Sequence, residues 1–221
     1  MDADDLYLPE YLEFCLKTLI EQDLDLVAPK MMDFKNRPNK ISKNDNNEGY
    51  LFYGKQGIRD FLYINQITVA ILCKKSVLEA VGGFSWHDRA EDLHCWLKIL
   101  FAGYKIYRID ETLLLYRLVE NSMSSTDRNC SKEVFEIIYR FKDEILSLDI
   151  DFQVYINHWL RKYVFLQDER GNILPNISER MAYVNTILPN FFPEWLIKLP
   201  LGEKITKLVA IQVMNRKIKE I

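Results

Sequence analysis

At 221 residues the chain is long enough for one large domain or for one and a half small ones. Its 48% hydrophobic and 28% charged residues exclude an intrinsically disordered protein. A net charge of −3 excludes a strong overall pull toward nucleic acid, so no nucleic-acid partner is expected.

The opening Met1-Asp2-Ala3-Asp4-Asp5 has no basic n-region, so a signal peptide is not expected. Such an acidic cluster ordinarily follows a hydrophobic strand, of which only Met1 remains. Leu8–Glu21 reads as a helix, with Pro9 in its first turn and Tyr11, Leu12, Cys15, Leu16, Leu19 and Ile20 at helical spacing. Leu24–Met32 reads as a buried strand, and the Asn- and Lys-rich residues 33–49 as a long surface loop. A helix is expected over Lys55–Ile64, a buried strand over Ile67–Cys73, and a short helix over Lys75–Val81 that ends at Gly82-Gly83. Ala90–Ala102 is the clearest helix, because Leu93, Trp96, Leu97, Leu100 and Phe101 form one apolar face and Gly103 closes it. Two strands, Tyr104–Ile109 and Thr112–Arg117, are expected about a turn at Asp110-Glu111.

Strands alternating with helices predict an α/β domain with a largely parallel sheet. After the polar stretch Asn121–Asn129 the pattern becomes helical, over 131–147, 152–167, 177–188 and 203–219. The chain therefore divides into an α/β domain over 1–126 and a helical C-terminal extension over 127–221. Cys15, Cys73, Cys95 and Cys130 form no CxxC pair and read as free thiols of a reducing cytosol. No apolar run reaches the roughly 18–20 residues of a membrane helix. Segment 191–221 mixes aromatics with Lys and Arg. Its Ile205, Leu208, Val209, Ile211 and Ile218 suggest an apolar face, for peripheral contact with an anionic membrane or for packing on the protein itself or on a second copy.

Three groups of residues could carry chemistry. Asp2, Asp4 and Asp5 either cap the following helix or hold a hard divalent cation against a diphosphate. Gly82-Gly83-Phe84 allows a close backbone approach, and Glu91-Asp92 after it either favours the helix dipole or supplies a general base. Arg117, at a strand end, either contacts phosphate or is an ordinary strand-end charge. Trp86 could stack on a sugar ring from a loop shared with His87.

The order DADD, GGF, ED, AGY, YR and NSMS resembles the family 2 glycosyltransferases of GT-A fold, and in particular bacterial enzymes that build surface polysaccharides. Residues 82–124 carry the most specific part, and the resemblance in pattern runs over 1–126. It implies a partial GT-A, Rossmann-like domain without its N-terminal nucleotide-binding strands, followed by the α-helical region. It also implies an inverting transfer from a nucleotide-diphosphate sugar to a glycan or lipid-linked acceptor on the cytoplasmic side of the cell. Asp92 would be the catalytic base, with Asp4 and Asp2 for Mn2+ or Mg2+. Asp5, Gly82, Gly83, Trp86, Glu91 and Arg117 would line donor and acceptor. The pattern departs at Val119, where the family often has His. The alternative is a catalytically incomplete or non-catalytic interaction protein derived from such an enzyme.

Overall fold

The computed structural model describes residues 5–35, 49–67, 70–86, 89–118, 130–168, 171, 173–198 and 203–221. It shows an α/β architecture followed by an α-helical region, divided into two compact units, Met1–Ser125 and Thr126–Ile221.

The first unit is built on two strands, β2 (Leu26–Phe34) and β5 (Ile106–Arg117), which run parallel side by side from Leu26 opposite Ile106 to Phe34 opposite Arg117. Leu26, Val27 and Ala28 are completely buried, which accounts for the unbroken apolar run that marked this strand in the sequence. Asp25 pins the start of the sheet: its carboxylate accepts the Lys105 backbone N–H at 2.9 Å and the Lys74 ammonium at 3.1 Å.

The largely parallel sheet expected from the alternation is corrected. β1 (Leu6–Tyr7) and β3 (Gly49–Phe52) pair antiparallel with β5, and β4 (Leu72–Cys73) pairs antiparallel with β2. Helix–strand alternation fixes the direction only of strands joined by a crossover. Short strands that fill a free edge can run either way. The expected turn at Asp110-Glu111 is corrected as well, because β5 passes through it as one strand. The β2–β5 register slips between Ala28 and Met31, so the surplus residues of β5 form a bulge there. At that bulge Asp110 meets the Lys30 ammonium at 3.1 Å, while Glu111 is buried. β3 lies at the end of what reads as a surface loop; residues 36–48 of that loop lie outside the described residues.

Helix α1 (Tyr11–Glu21) covers the sheet with Tyr11, Cys15 and Leu19, which pack with Leu24, Val27, Ala70, Ile109, Leu113 and Leu114. It ends where Asp23 turns left-handed (φ 48°) and the Leu24 N–H returns to the Leu19 carbonyl at 3.0 Å. Helix α2 (Gly54–Tyr63) sits directly on β3. A Cβ at Gly57 would come within 2.7 Å of the Phe52 backbone, so only glycine allows this approach. Phe61 then meets Phe52 edge-on at 4.8 Å. Helix α3 (Lys75–Ala80) is short, and α4 (Glu91–Phe101) packs on α2 with Leu93, Cys95, Trp96, Leu97, Ile99 and Leu100 all buried.

The second unit is helical: α5 (Ser131–Arg140), α6 (Lys142–Ser147), α7 (Phe152–Val164), α8 (Ile177–Ile187), α9 (Glu194–Lys198) and α10 (Glu203–Lys217), with a final 3-10 turn at Ile218–Glu220. Phe135, Ile137, Ile138, Ile156, Trp159, Leu160, Met181 and Val184 form its interior. Asp151 caps α7 by accepting the Gln153 N–H at 3.1 Å. Of the apolar face expected on the last helix, Ile218 is buried. Thr206, Ala210, Met214 and Ile218, four residues apart, are the buried side, whereas Ile205 and Leu208 are exposed. Among the described residues no helix is long and apolar enough to cross a membrane.

Candidate active site

The loop into α4 is shaped by its glycines. Gly82 and Gly83 both adopt left-handed backbone (φ 70° and 57°), and their N–H groups close α3 by returning to Glu79 and Leu78 at 3.1 and 2.8 Å. From α4, the Lys98 ammonium donates to the Gly83 carbonyl (3.2 Å) and to Ser85 Oγ (3.0 Å), which fastens this loop to the helix. Trp86 donates its indole N–H to the Arg89 carbonyl at 3.1 Å, and its ring lies 5.3 Å from that of buried His94. It is half-buried in that packing, while Phe84 is the exposed aromatic of the loop, edge-on to the fully buried Trp96 at 5.6 Å. His87 lies outside the described residues.

Ala90 precedes α4 in a left-handed conformation (φ 63°) that L-residues adopt rarely, and it aims the first turn of the helix. Glu91 is exposed and Asp92 is partly buried. Both carboxylate oxygens of Asp92 are held: Oδ1 accepts the Leu93 N–H at 2.7 Å and Oδ2 accepts the Asn65 amide at 2.7 Å. Burial pushes the Asp92 carboxyl above its ordinary value. The Leu93 N–H pulls it down, Glu91 adds to the rise, and Asn65 and the residue's own backbone N–H pull it down again, with a rise as the net result. A carboxylate that has lost part of its water yet keeps a fixed orientation is suited to take a proton from a bound hydroxyl.

Asn65 carries no motif signal in the sequence. It lies 27 residues before Asp92, in the junction between α2 and β4. Two consecutive amides, Asn65-Gln66, between apolar Ile64 and Ile67 were the available hint.

A second local group lies where β2 and β5 end. Asp5 is buried, and its Oδ1 accepts the Arg117 N–H at 3.0 Å, which ties the residue before β1 to the last residue of β5. The Arg117 guanidinium stacks over the Phe34 ring at 4.5 Å. Asp2, Asp4 and Val119 lie outside the described residues. Among the described residues no group of three or more His, Cys, Asp or Glu is placed to hold a metal ion. All four cysteines are free; Cys15 and Cys95 are buried, and burial raises their thiols to about 12 and about 11.

No protein-family model matches the chain, and no curated protein matches it. Among solved structures the chain is similar to residues 1–349 of TarS from S. aureus in complex with UDP-GlcNAc. The TM-score is 0.51 at 16% identity, over 100% of this chain and 58% of that one. A second crystal structure of TarS 1–349 gives a TM-score of 0.49 at 16% identity, over 100% of this chain and 55% of that one. The chain thus spans little more than half the length of the structures it matches. At this identity the similarity speaks for the fold, which is glycosyltransferase-like.

Proposed function

We propose that the chain is the acceptor-side part of an inverting glycosyltransferase of family 2 and GT-A type, and that Asp92 is its general base. The observation that carries this is the Asp92 carboxylate at the first turn of α4, partly buried, shifted upward, and anchored on both oxygens. The glycosyltransferase-like fold and the GGF…ED pattern of residues 82–92 support it. The substrate would be a nucleotide-diphosphate sugar. TarS was crystallised with UDP-GlcNAc, so UDP-GlcNAc is the first donor to test.

In the proposed reaction the acceptor hydroxyl gives its proton to the Asp92 carboxylate as its oxygen bonds to the anomeric carbon. The bond from that carbon to the diphosphate oxygen breaks on the opposite face, and the nucleoside diphosphate leaves with the electron pair. The Gly82–Ser85 loop, held by Lys98, would border the sugar, and Arg117 the phosphates. Mn2+ or Mg2+ at Asp2 and Asp4, when bound, would offset charge on the diphosphate. The acceptor would be a glycan or a lipid-linked sugar. Peripheral contact of residues 191–221 with the inner face of a membrane belongs to the same proposal, supported by the exposed Trp195, Ile205 and Leu208. So does assembly with a second copy.

The test is release of UDP from UDP-GlcNAc with Mn2+ and cell-envelope glycan as acceptor. Asp92→Asn should lower turnover about 10²–10⁴-fold while leaving nucleotide binding intact. Undiminished turnover in Asp92→Asn would remove Asp92 as the base. Absence of nucleotide binding by the native protein would favour the non-catalytic interaction protein.

A further inference from the structure

We infer that Asn65 is a positioning residue that fixes the orientation and the proton affinity of Asp92 from outside α4. This rests on Asp92 being the general base. The sequence pattern that suggested Asp92 does not contain Asn65.

The geometry is a short relay with one possible polarity. The Ile67 backbone N–H donates to Asn65 Oδ1 at 3.3 Å, so the amide oxygen faces Ile67 and the NH2 group faces Asp92. That NH2 donates to Asp92 Oδ2 at 2.7 Å, while Oδ1 is held by the Leu93 N–H at the same distance. The carboxylate plane is therefore set by backbone N–H groups of its own helix, those of Leu93 and of Asp92 itself, and by one bond from a different element. The loop that carries Asn65 is itself fastened. Arg108 on β5 donates to the Gln66 backbone carbonyl (3.3 Å) and to its side-chain oxygen (3.1 Å), and Ile67 is buried. Asn65 thus links Asp92 to the central strand β5 through the residues beside it.

The chemical consequence follows from which form of Asp92 the amide favours. An N–H donor stabilises the ionised carboxylate, so it counteracts the upward push of burial. Without it, Asp92 would keep its proton at higher pH and would be a base in a smaller fraction of molecules. The other groups near Asp92 do not replace this donor. Glu91 and the Cys95 thiol, held protonated up to about 11, lie on α4 itself. α2, which packs on α4, carries Lys55, Arg59 and Asp60, and Asp60 is already bonded by Tyr50 and Gln56.

The decisive measurement is a carbon-13 titration of the Asp92 carboxyl in aspartate-labelled full-length chain, assigned by the signal lost in Asp92→Asn. Asn65→Ala should raise the Asp92 midpoint by about one pH unit. Asn65→Asp keeps the shape and the acceptor for the Ile67 N–H but replaces the donor with a second carboxylate, so it should raise the midpoint further. It also serves if the alanine variant does not fold. With UDP-GlcNAc and Mn2+, the acid limb of kcat/KM should move upward in step with that midpoint, with kcat about tenfold lower on that limb and KM nearly unchanged. An Asp92 midpoint that stays put in the folded variants overturns the role of Asn65. If Asp92→Asn abolishes turnover while the midpoint ignores Asn65, this inference falls and the general base stands. If Asp92→Asn retains turnover while the midpoint follows Asn65, the coupling stands and the catalytic assignment falls.

Discussion

Polar side chains complete the backbone in both units, and Asp92 of the α/β unit stands apart from them. In the helical unit, Arg180 donates to three carbonyls, of Val164 (3.0 Å), Pro175 (2.6 Å) and Leu174 (2.8 Å), and so closes the segment between α7 and α8. Asn185 exchanges two bonds of 2.8 Å with the backbone of Phe192, which fixes the turn before α9. In the α/β unit Asp92 also has both oxygens bonded, yet burial still leaves its carboxyl above the ordinary range. Side chains of the first kind hold a shape. A carboxylate kept where its charge is unfavourable fits the general base proposed for Asp92, and that contrast sets where a mutation should affect turnover and where it should affect folding.

The largest expected effect is on turnover, with Asp92→Asn, and the same variant carries a linked stability signature. Asp92 holds its proton more tightly folded than unfolded, so its ionisation works against the fold. That penalty is absent below the ordinary carboxylate range and fully present above the raised folded value. Relative to the native chain, Asp92→Asn should therefore gain stability as pH rises through this window. Any fixed cost of an amide facing the Leu93 or Asn65 donor is independent of pH. Urea unfolding of both proteins between pH 4 and 7.5 checks this, and a difference that stays flat would mean that Asp92 is an ordinary surface carboxylate.

Arg180→Ala should come next, and on folding alone. It removes a cation from three carbonyls, one of them on fully buried Val164, and should cost about 1.5–3 kcal/mol in denaturant unfolding, with Asp92 titrating as before. Arg180→Lys, lacking the planar fork, should recover only part of that loss. A shift of Asp92 on mutating Arg180 would break the division between the units. Lys98→Met is a smaller perturbation within the α/β unit. It frees Gly83 and Ser85, costs under about 1 kcal/mol, and should speed amide exchange over residues 83–86 while the body of α4 stays protected.

What was legible in the sequence was periodic and local. α1 and α4 announce themselves through apolar side chains at helical spacing, and β2 through its uninterrupted apolar run. The carboxylates at the start of α4 stood out by the GGF…ED order on which the family resemblance rests. What was hidden depends on distant pairing. Asp110-Glu111 looks like a turn because polar neighbours usually mark one, whereas here the mismatch of β5 against β2 places them in a bulge. The direction of β1, β3 and β4 depends on which sheet edge is free, and a single strand's sequence does not encode that. Asn65 reaches Asp92 only after α2 and α4 have packed, so no window of neighbouring residues contains the pair. On α10, Thr206 and Ala210 lie on the buried side, whereas a hydrophobicity count favoured Ile205 and Leu208, which are exposed.

The smallest expected effect concerns Ala90. Its left-handed backbone directly before Glu91-Asp92 invites a functional explanation, since strain gathers at active sites. The helical unit argues otherwise: α5 and α8 also start from left-handed residues, Cys130 (φ 47°) and Asn176 (φ 69°), far from any candidate base in the sequence. A left-handed entry is thus a way of starting helices that both units use. Ala90→Gly removes a cost of about 1 kcal/mol in the folded state but adds about 0.5–1 kcal/mol of unfolded-chain entropy, so unfolding should change by less than about 1 kcal/mol. Ala90→Val, β-branched in that conformation, should be clearly destabilising. The discriminating measurement is the Asp92 midpoint in Ala90→Gly. If it stays with the native value, the left-handed residue only aims the helix and Asn65 and Leu93 set the base. If it moves, the strain at Ala90 belongs to the site after all, and the likeness to Cys130 and Asn176 is only one of shape.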